Sequence, residues 1–133
     1  MPQQVTPFLM FQGDAEAAVD LYCSIFADAE IEEIRHYASG GAGAEGSVEF
    51  TRFRIGNQRF FAIDSPAEHA FTFTPSLSLF VEFDEPEELA RAAEGLAEGG
   101  QFLMPLDSYP FAERFAWVGD RFGVSWQLSY KRG

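Results

Sequence analysis

Residues 113–128 read ERFAWVGDRFGVSWQL, and the fold follows from how this stretch is parsed. The alternation predicts a strand over Arg114–Val118 that sets Phe115 and Trp117 on one face. Gly119-Asp120-Arg121-Phe122-Gly123 has turn composition, with Asp120-Arg121 shaping the turn. A second strand follows over Val124–Ser129. Val124, Trp126 and Leu128 point to one side of it, and Ser125, Gln127 and Ser129 to the other. A face that is wholly polar either meets water or, on a curved sheet, lines a cavity.

Two runs upstream explain what this hairpin belongs to. Val5–Phe11 is a short apolar strand, and Asp14 is placed to cap a helix running to about Phe26. Its apolar positions, Ala18, Leu21, Tyr22, Ile25 and Phe26, form the stripe of a helix lying on a sheet. Strands are expected over Ile31–Tyr37, Val48–Ile55 and Gln58–Ile63, the last two joined by the tight Gly56-Asn57 turn. The second half repeats the order. Ser76–Phe83 is a strand, and Asp84-Glu85-Pro86 starts a helix with proline in its first turn. Its stripe is Leu89, Ala92, Ala93, Leu96 and Ala97. Subtracting 71 from these numbers returns 18, 21, 22, 25 and 26, the stripe of the first helix. Gly99-Gly100 ends the helix, Gln101–Leu106 is a strand, and the closing hairpin completes the half. Over that hairpin the offset falls to about 66, which a shorter second-half loop at Pro105–Ala112 accounts for. Two βαβββ units, approximately 1–70 and 71–133, describe the chain as a single α+β domain.

Composition narrows the partners. The 133 residues include 15 Phe, so a core or cavity wall rich in phenyl rings is expected. With 21 acidic against 9 basic residues the net charge is −12, which repels phosphate backbones and anionic lipid; neither nucleic acid nor membrane is an expected partner. No apolar run approaches the roughly 18 residues of a membrane span, and MPQQVTPFLMF does not read as a secretory signal. A cytoplasmic location is the expectation. The lone Cys23 excludes an internal disulfide and reads as a packing residue beside the helical stripe. The segment Ala38–Ser47, ASGGAGAEGS, has neither the phosphate-loop pattern nor a basic residue and reads as a mobile flap or loop tip.

TPFLMFQGDAEAAVDLYCSIF (6–26), GNQRFFAIDS (56–65), FTFTPSLSLFVEFDEPEEL (71–89) and WVGDRFGVSWQL (117–128) resemble the PhnB-like branch of the vicinal oxygen chelate superfamily. That branch often bears the label 3-demethylubiquinone-9 3-methyltransferase; the superfamily includes glyoxalase I, extradiol dioxygenases and fosfomycin and bleomycin resistance proteins. DRFGVSWQL (120–128) is the most specific of these segments. The chain departs from the branch at Phe115-Ala116, where Cys-Gly is common, and at Ala90, where aspartate is usual. The resemblance implies glyoxalase-like paired βαβββ units forming a curved mixed sheet with a cavity, and a homodimer.

It also implies a divalent metal held by His and Glu on the first and last strands of each unit, where it would stabilise an oxyanion. The matching positions here are Pro7, Phe61, Ser78 and Gln127. None is an imidazole or a carboxylate, and a shift of one residue does not restore one. The expectation is a small-molecule-binding PhnB-like protein without the usual metal and without a cofactor. Phe8, Phe60, Phe61 and Trp117 would wall its pocket, with Ser125 and Gln127 as polar hooks. The competing expectation is a divalent-metal-dependent lyase, isomerase or dioxygenase that recruits His36, Glu49 or Asp64. Methyl transfer finds no support, because the turn after the first strand is only Gln-Gly-Asp.

Overall fold

Strand β1 (Phe8–Phe11) is shorter than its apolar run, pairing in parallel with β4 (Gln58–Asp64) in the computed structural model, which describes residues 3–131. Helix α1 (Ala15–Ile25) follows, then β2 (Ala29–His36) and β3 (Val48–Ile55). These elements make up the first of two compact units, Met1–Ala70, whose mixed sheet runs β1-β4-β3-β2. Alternation sorts its side chains. Leu9, Phe11, Thr51, Phe53, Phe60 and Ala62 are buried on one face, where α1 sets down Ala15, Ala18, Val19 and Tyr22. Phe53 stacks on Phe60 and contacts Tyr22, so three rings hold helix to sheet, each contributing about 1.5–3 kcal/mol when fully buried. Val19 completes the helical stripe, while Leu21 and Ile25 are only half-buried at its margin.

Asp14 does not cap α1. Its side chain makes no capping hydrogen bond. The carboxylate of Asp64, at the end of β4, accepts the amides of Gly13 at 2.8 Å and Ala15 at 2.9 Å through Oδ1, and that of Val48 at 2.9 Å through Oδ2. A tertiary cap thus replaces the local one, tying the start of α1 to β3 and β4. The glycine-rich segment is folded back on its own strands. Tyr37 and Ser47 close its base (2.8 Å), the Tyr37 hydroxyl donates to the Asp64 carbonyl oxygen (3.2 Å), and Gly43 lies against the Tyr37 ring.

The second unit, Phe71–Gly133, repeats the order with β5 (Ser78–Glu82), α2 (Pro86–Ala97), β6 (Gln101–Tyr109), β7 (Ala112–Gly119) and β8 (Ser125–Tyr130). Its sheet runs β5-β8-β7-β6, again with the outer pair β5 and β8 parallel. Leu89, Ala92, Ala93 and Leu96 of α2 are buried, as are Ala116, Val118, Trp126 and Leu128 of the sheet beneath. Pro105–Ala112 is not a loop. Strand β6 continues to Tyr109 through irregular registers, and Pro110-Phe111 makes the turn before Ala112. The offset between the halves does fall through loop length, because residues 37–47 join β2 to β3 whereas only Pro110-Phe111 joins β6 to β7.

Candidate functional site

In β7 and β8, Trp117 faces Gln127, Phe115 faces Ser129 and Gly119 faces Ser125 across the antiparallel pair. In β5 and β8, Ser78, Phe80 and Glu82 pair with Ser125, Gln127 and Ser129. Cross-strand partners share a face, so the face turned away from α2 gathers Ser78, Phe80, Phe115, Trp117, Ser125 and Gln127. Gln127 sits between two aromatic neighbours, Trp117 on one strand and the exposed Phe80 on the other.

The polar atoms on this face form one chain. Trp117 Nε1 donates to Ser125 Oγ at 2.8 Å, the Ser125 and Ser78 hydroxyls are 2.7 Å apart, and Gln127 Nε2 donates to Ser78 Oγ at 3.2 Å. Either hydroxyl can donate in the serine–serine bond by geometry, and burial argues for Ser125 as the donor. Ser125 is 2% exposed, and its oxygen already accepts from an indole that can only donate. Its own proton therefore goes to Ser78, since otherwise it would be buried without an acceptor. Ser78 then accepts twice, and its hydroxyl hydrogen is left for a group outside the chain. Gln127 Oε1 is left as an acceptor beside it.

In the first unit, the face of the sheet turned away from α1 carries Phe8, Phe50 and Phe61, with ring centroids 6.3 Å (Phe8–Phe61) and 5.2 Å (Phe50–Phe61) apart. Arg35 lies 4.9 Å from the Phe50 ring centroid. Phe60 is on the opposite face, 5% exposed and stacked on Phe53. It belongs to the core beneath α1 and does not share a face with Phe61, because adjacent strand residues point to opposite sides. Beside Phe61 lies an open depression of about 470 Å³ lined by Gln4, Thr6, Glu32, Arg52 and Arg59. Sequence reading missed this charged rim, although the alternating Arg52, Arg54 and Arg59 and the run of acids in β2 were its signal. Glu32 accepts from Arg59 at 2.8 Å and Arg52 at 3.3 Å. The Arg59 hydrogen bond, more than any other influence, holds the Glu32 carboxyl below the ordinary glutamate range. Arg54 bridges Asp28 and Glu30, whose hydrogen bonds strengthen its hold on the proton.

Each alternative metal ligand is engaged separately. His36 Nε2 is 2.9 Å from Glu16 Oε1 on α1, Glu49 lies 3.9 Å from Arg35, and both oxygens of Asp64 serve backbone amides. Among the described residues, no three His, Cys, Asp or Glu side chains are grouped to hold a metal ion. Of the positions that the resemblance matched to metal ligands, Pro7 and Phe61 offer no side-chain donor atom, and the Ser78 and Gln127 side chains are hydrogen-bonded to each other. Cys23 is half-buried, and desolvation first, then the charges of Asp20 and Glu30, push its thiol up. Such a thiol is a poor nucleophile at neutral pH. No helix among the described residues is long and apolar enough to cross a membrane.

Two βαβββ units, each a mixed four-stranded sheet beneath one helix, define a protein of the α+β glyoxalase-like fold. The chain belongs to the family described as 3-demethylubiquinone-9 3-methyltransferase, whose model matches residues 3–129. It is 46% identical to a PhnB protein from Bacillus cereus that carries the same description, over 96% of this chain and 99% of that one, with a TM-score of 0.93. A protein of known structure from Pseudomonas aeruginosa is 26% identical over 99% of this chain and all (100%) of its own, with a TM-score of 0.86. The fosfomycin resistance protein FosX from Listeria monocytogenes shares the fold at 13% identity, covering 99% of this chain and 95% of its own (TM-score 0.69). No curated protein matches the chain.

Proposed function

We propose that the protein binds a small organic molecule on the Ser78-Trp117-Ser125-Gln127 face, in the cytoplasm, without the metal chemistry usual in its superfamily. The carrying observation is the hydrogen-bonded chain that ends in a spare donor on Ser78 and a spare acceptor on Gln127, between the exposed Phe80 and Trp117. Ligand sites commonly combine apolar walls with a few placed polar groups. Phe8 and Phe61 offer a comparable aromatic surface on the first unit. The family's description names a methyl transfer, but the turn into α1 does not favour one. Its Gly13 and Ala15 amides, which would face a cofactor's anionic group, are already taken by Asp64.

A homodimer fits the same reading. β1 and β5 are edge strands, and Val5 and Leu77 just before them are 88% and 75% exposed. Apolar edges of this kind are normally covered, and a second copy would supply the cover. Light scattering of the purified protein tests this, with a monomer at micromolar concentration as the contrary result.

The ligand reading is tested by thermal-shift and NMR screens of small metabolites on untagged protein, paired with elemental analysis. Binding that perturbs the Trp117 indole signal supports it. Stoichiometric zinc, nickel, manganese or iron would overturn it in favour of a metal-dependent lyase, isomerase or dioxygenase.

A further inference from the structure

The direction of the hydrogen-bond chain specifies more than the existence of a ligand. Resting on the ligand-binding reading above, we propose that this face takes a small planar molecule bearing a lactam or cis-amide edge, a carbonyl and an N–H side by side. The Ser78 hydroxyl, having accepted from Ser125 and Gln127, has only its hydrogen to offer and meets the ligand's carbonyl. Gln127 has spent an N–H on Ser78, so its Oε1 meets the ligand's N–H. Donor and acceptor belong to neighbouring side chains, held together by the Gln127 Nε2 to Ser78 Oγ hydrogen bond at 3.2 Å, so both can reach adjacent groups of one ligand.

The surroundings select for a flat and uncharged body. Phe80 and Trp117 flank Gln127 on its two neighbouring strands, giving the ligand rings to lie against. A carboxylate would offer two acceptors and leave Gln127 Oε1 facing a negative charge. An ammonium would offer only donors and leave the Ser78 hydrogen unused. Of these three, only the lactam edge satisfies both groups, and a polar group left without a partner is what discriminates strongly between ligands.

The chain itself explains why the polarity is stable. Trp117 can only donate, so it locks Ser125 as acceptor at one end, and the lock passes through the buried Ser125 proton to Ser78. Ser125 is thus a positioning residue: at 2% exposure it does not meet the ligand, yet it decides which way Ser78 points its hydrogen.

Three probes separate this inference from the reading beneath it: 2-pyridone, which has the lactam edge, 2-methoxypyridine, which lacks the N–H, and anisole, which is only a flat ether. In ¹H–¹⁵N spectra of the full chain, 2-pyridone is expected to shift the Gln127 side-chain amide and the Trp117 indole signals. It should bind about tenfold more tightly than the other two, as one good hydrogen bond allows. Gln127→Leu should erase that preference while leaving weak binding of all three. If that variant fails to fold, Ser78→Ala should erase the preference by removing the outward hydroxyl. Equal binding of all three probes, unchanged by either substitution, overturns the lactam assignment and leaves a ligand-binding face intact. Absence of any shift with all three overturns both.

Discussion

Asp64 and Ala15 lie 49 residues apart in sequence, and the carboxylate of one accepts the amide of the other at 2.9 Å. With Gly13 and Val48 as its other donors, Asp64 joins the start of α1, the start of β3 and the end of β4 at one buried point. Asp64→Ala strands three backbone amides, two of them in buried bonds, and should cost about 3–5 kcal/mol in urea denaturation. Asp14→Ala, at the residue whose side chain caps nothing, should stay within about 0.5 kcal/mol. Equal losses for the two would mean that the local cap operates in solution.

Gly100 follows the end of α2, and a Cβ there would overlap the carbonyl oxygen of Gly119 and the backbone of Asp120. Every one of these atoms is backbone, with no flexible side chain to give way, so Gly100→Ala should destabilise by about 2 kcal/mol or more. Gly119→Ala is the matched control, because a Cβ there meets nothing within 4 Å. It should be neutral or slightly stabilising through the unfolded chain. Thermal melts of the pair check the contrast, and a tolerated Gly100→Ala would show that α2 and β7 do not approach so closely.

Element order, both helical stripes and the four central strands were legible because burial on one face imposes a period, and period survives in a single sequence. The cap on α1 was not. Asp14 satisfied every local criterion for a cap, and only folding brings Asp64 to the same amides. The Pro105–Ala112 region misled for a related reason: proline and turn residues signal a loop, but bulges let β6 carry them on an edge strand. At the candidate site, period gave Ser125 and Gln127 a common face of β8, to which the pairing with β7 adds Trp117, and it should equally have set Phe60 apart from Phe61. Ser78 gained its role from the parallel pairing of β5 with β8, a long-range register that no local pattern encodes.

Glu32 carries a pH signature. Its folded carboxyl is held below the ordinary glutamate value of 4.5, chiefly by the Arg59 hydrogen bond. A lowered folded value means that its contribution is fully present above the unfolded value and is lost as pH falls through the folded one. The stability gap between wild type and Glu32→Gln should therefore be constant near neutrality and shrink below about pH 4.5. The pair is open to solvent, so the gap should also narrow in high salt. Denaturation curves across pH 3 to 7, at low and high salt, read both effects. A gap that widens on acidification would contradict the arrangement of charges on β2 and β4.

The Trp117–Ser125 hydrogen bond can be weighed directly, and its weight bears on the ligand site. Ser125→Ala removes the acceptor of the indole and the donor to Ser78 together, and should cost about 1–2 kcal/mol. Trp117→Phe keeps a ring on the face but removes the N–H, leaving Ser125 with a spare lone pair, the cheaper kind of loss; under about 1 kcal/mol is expected. The two changes touch one bond, so the double variant should lose less than the sum by about 0.5 kcal/mol or more. Full additivity would mean that the indole and the hydroxyl do not meet in solution. Ser125 would then be free to turn its proton toward Trp117's side of the sheet, and Ser78 would no longer be compelled to face outward as a donor. The order of donors and acceptors offered to a ligand thus depends on a single buried proton, and the double-mutant cycle measures what holds it in place.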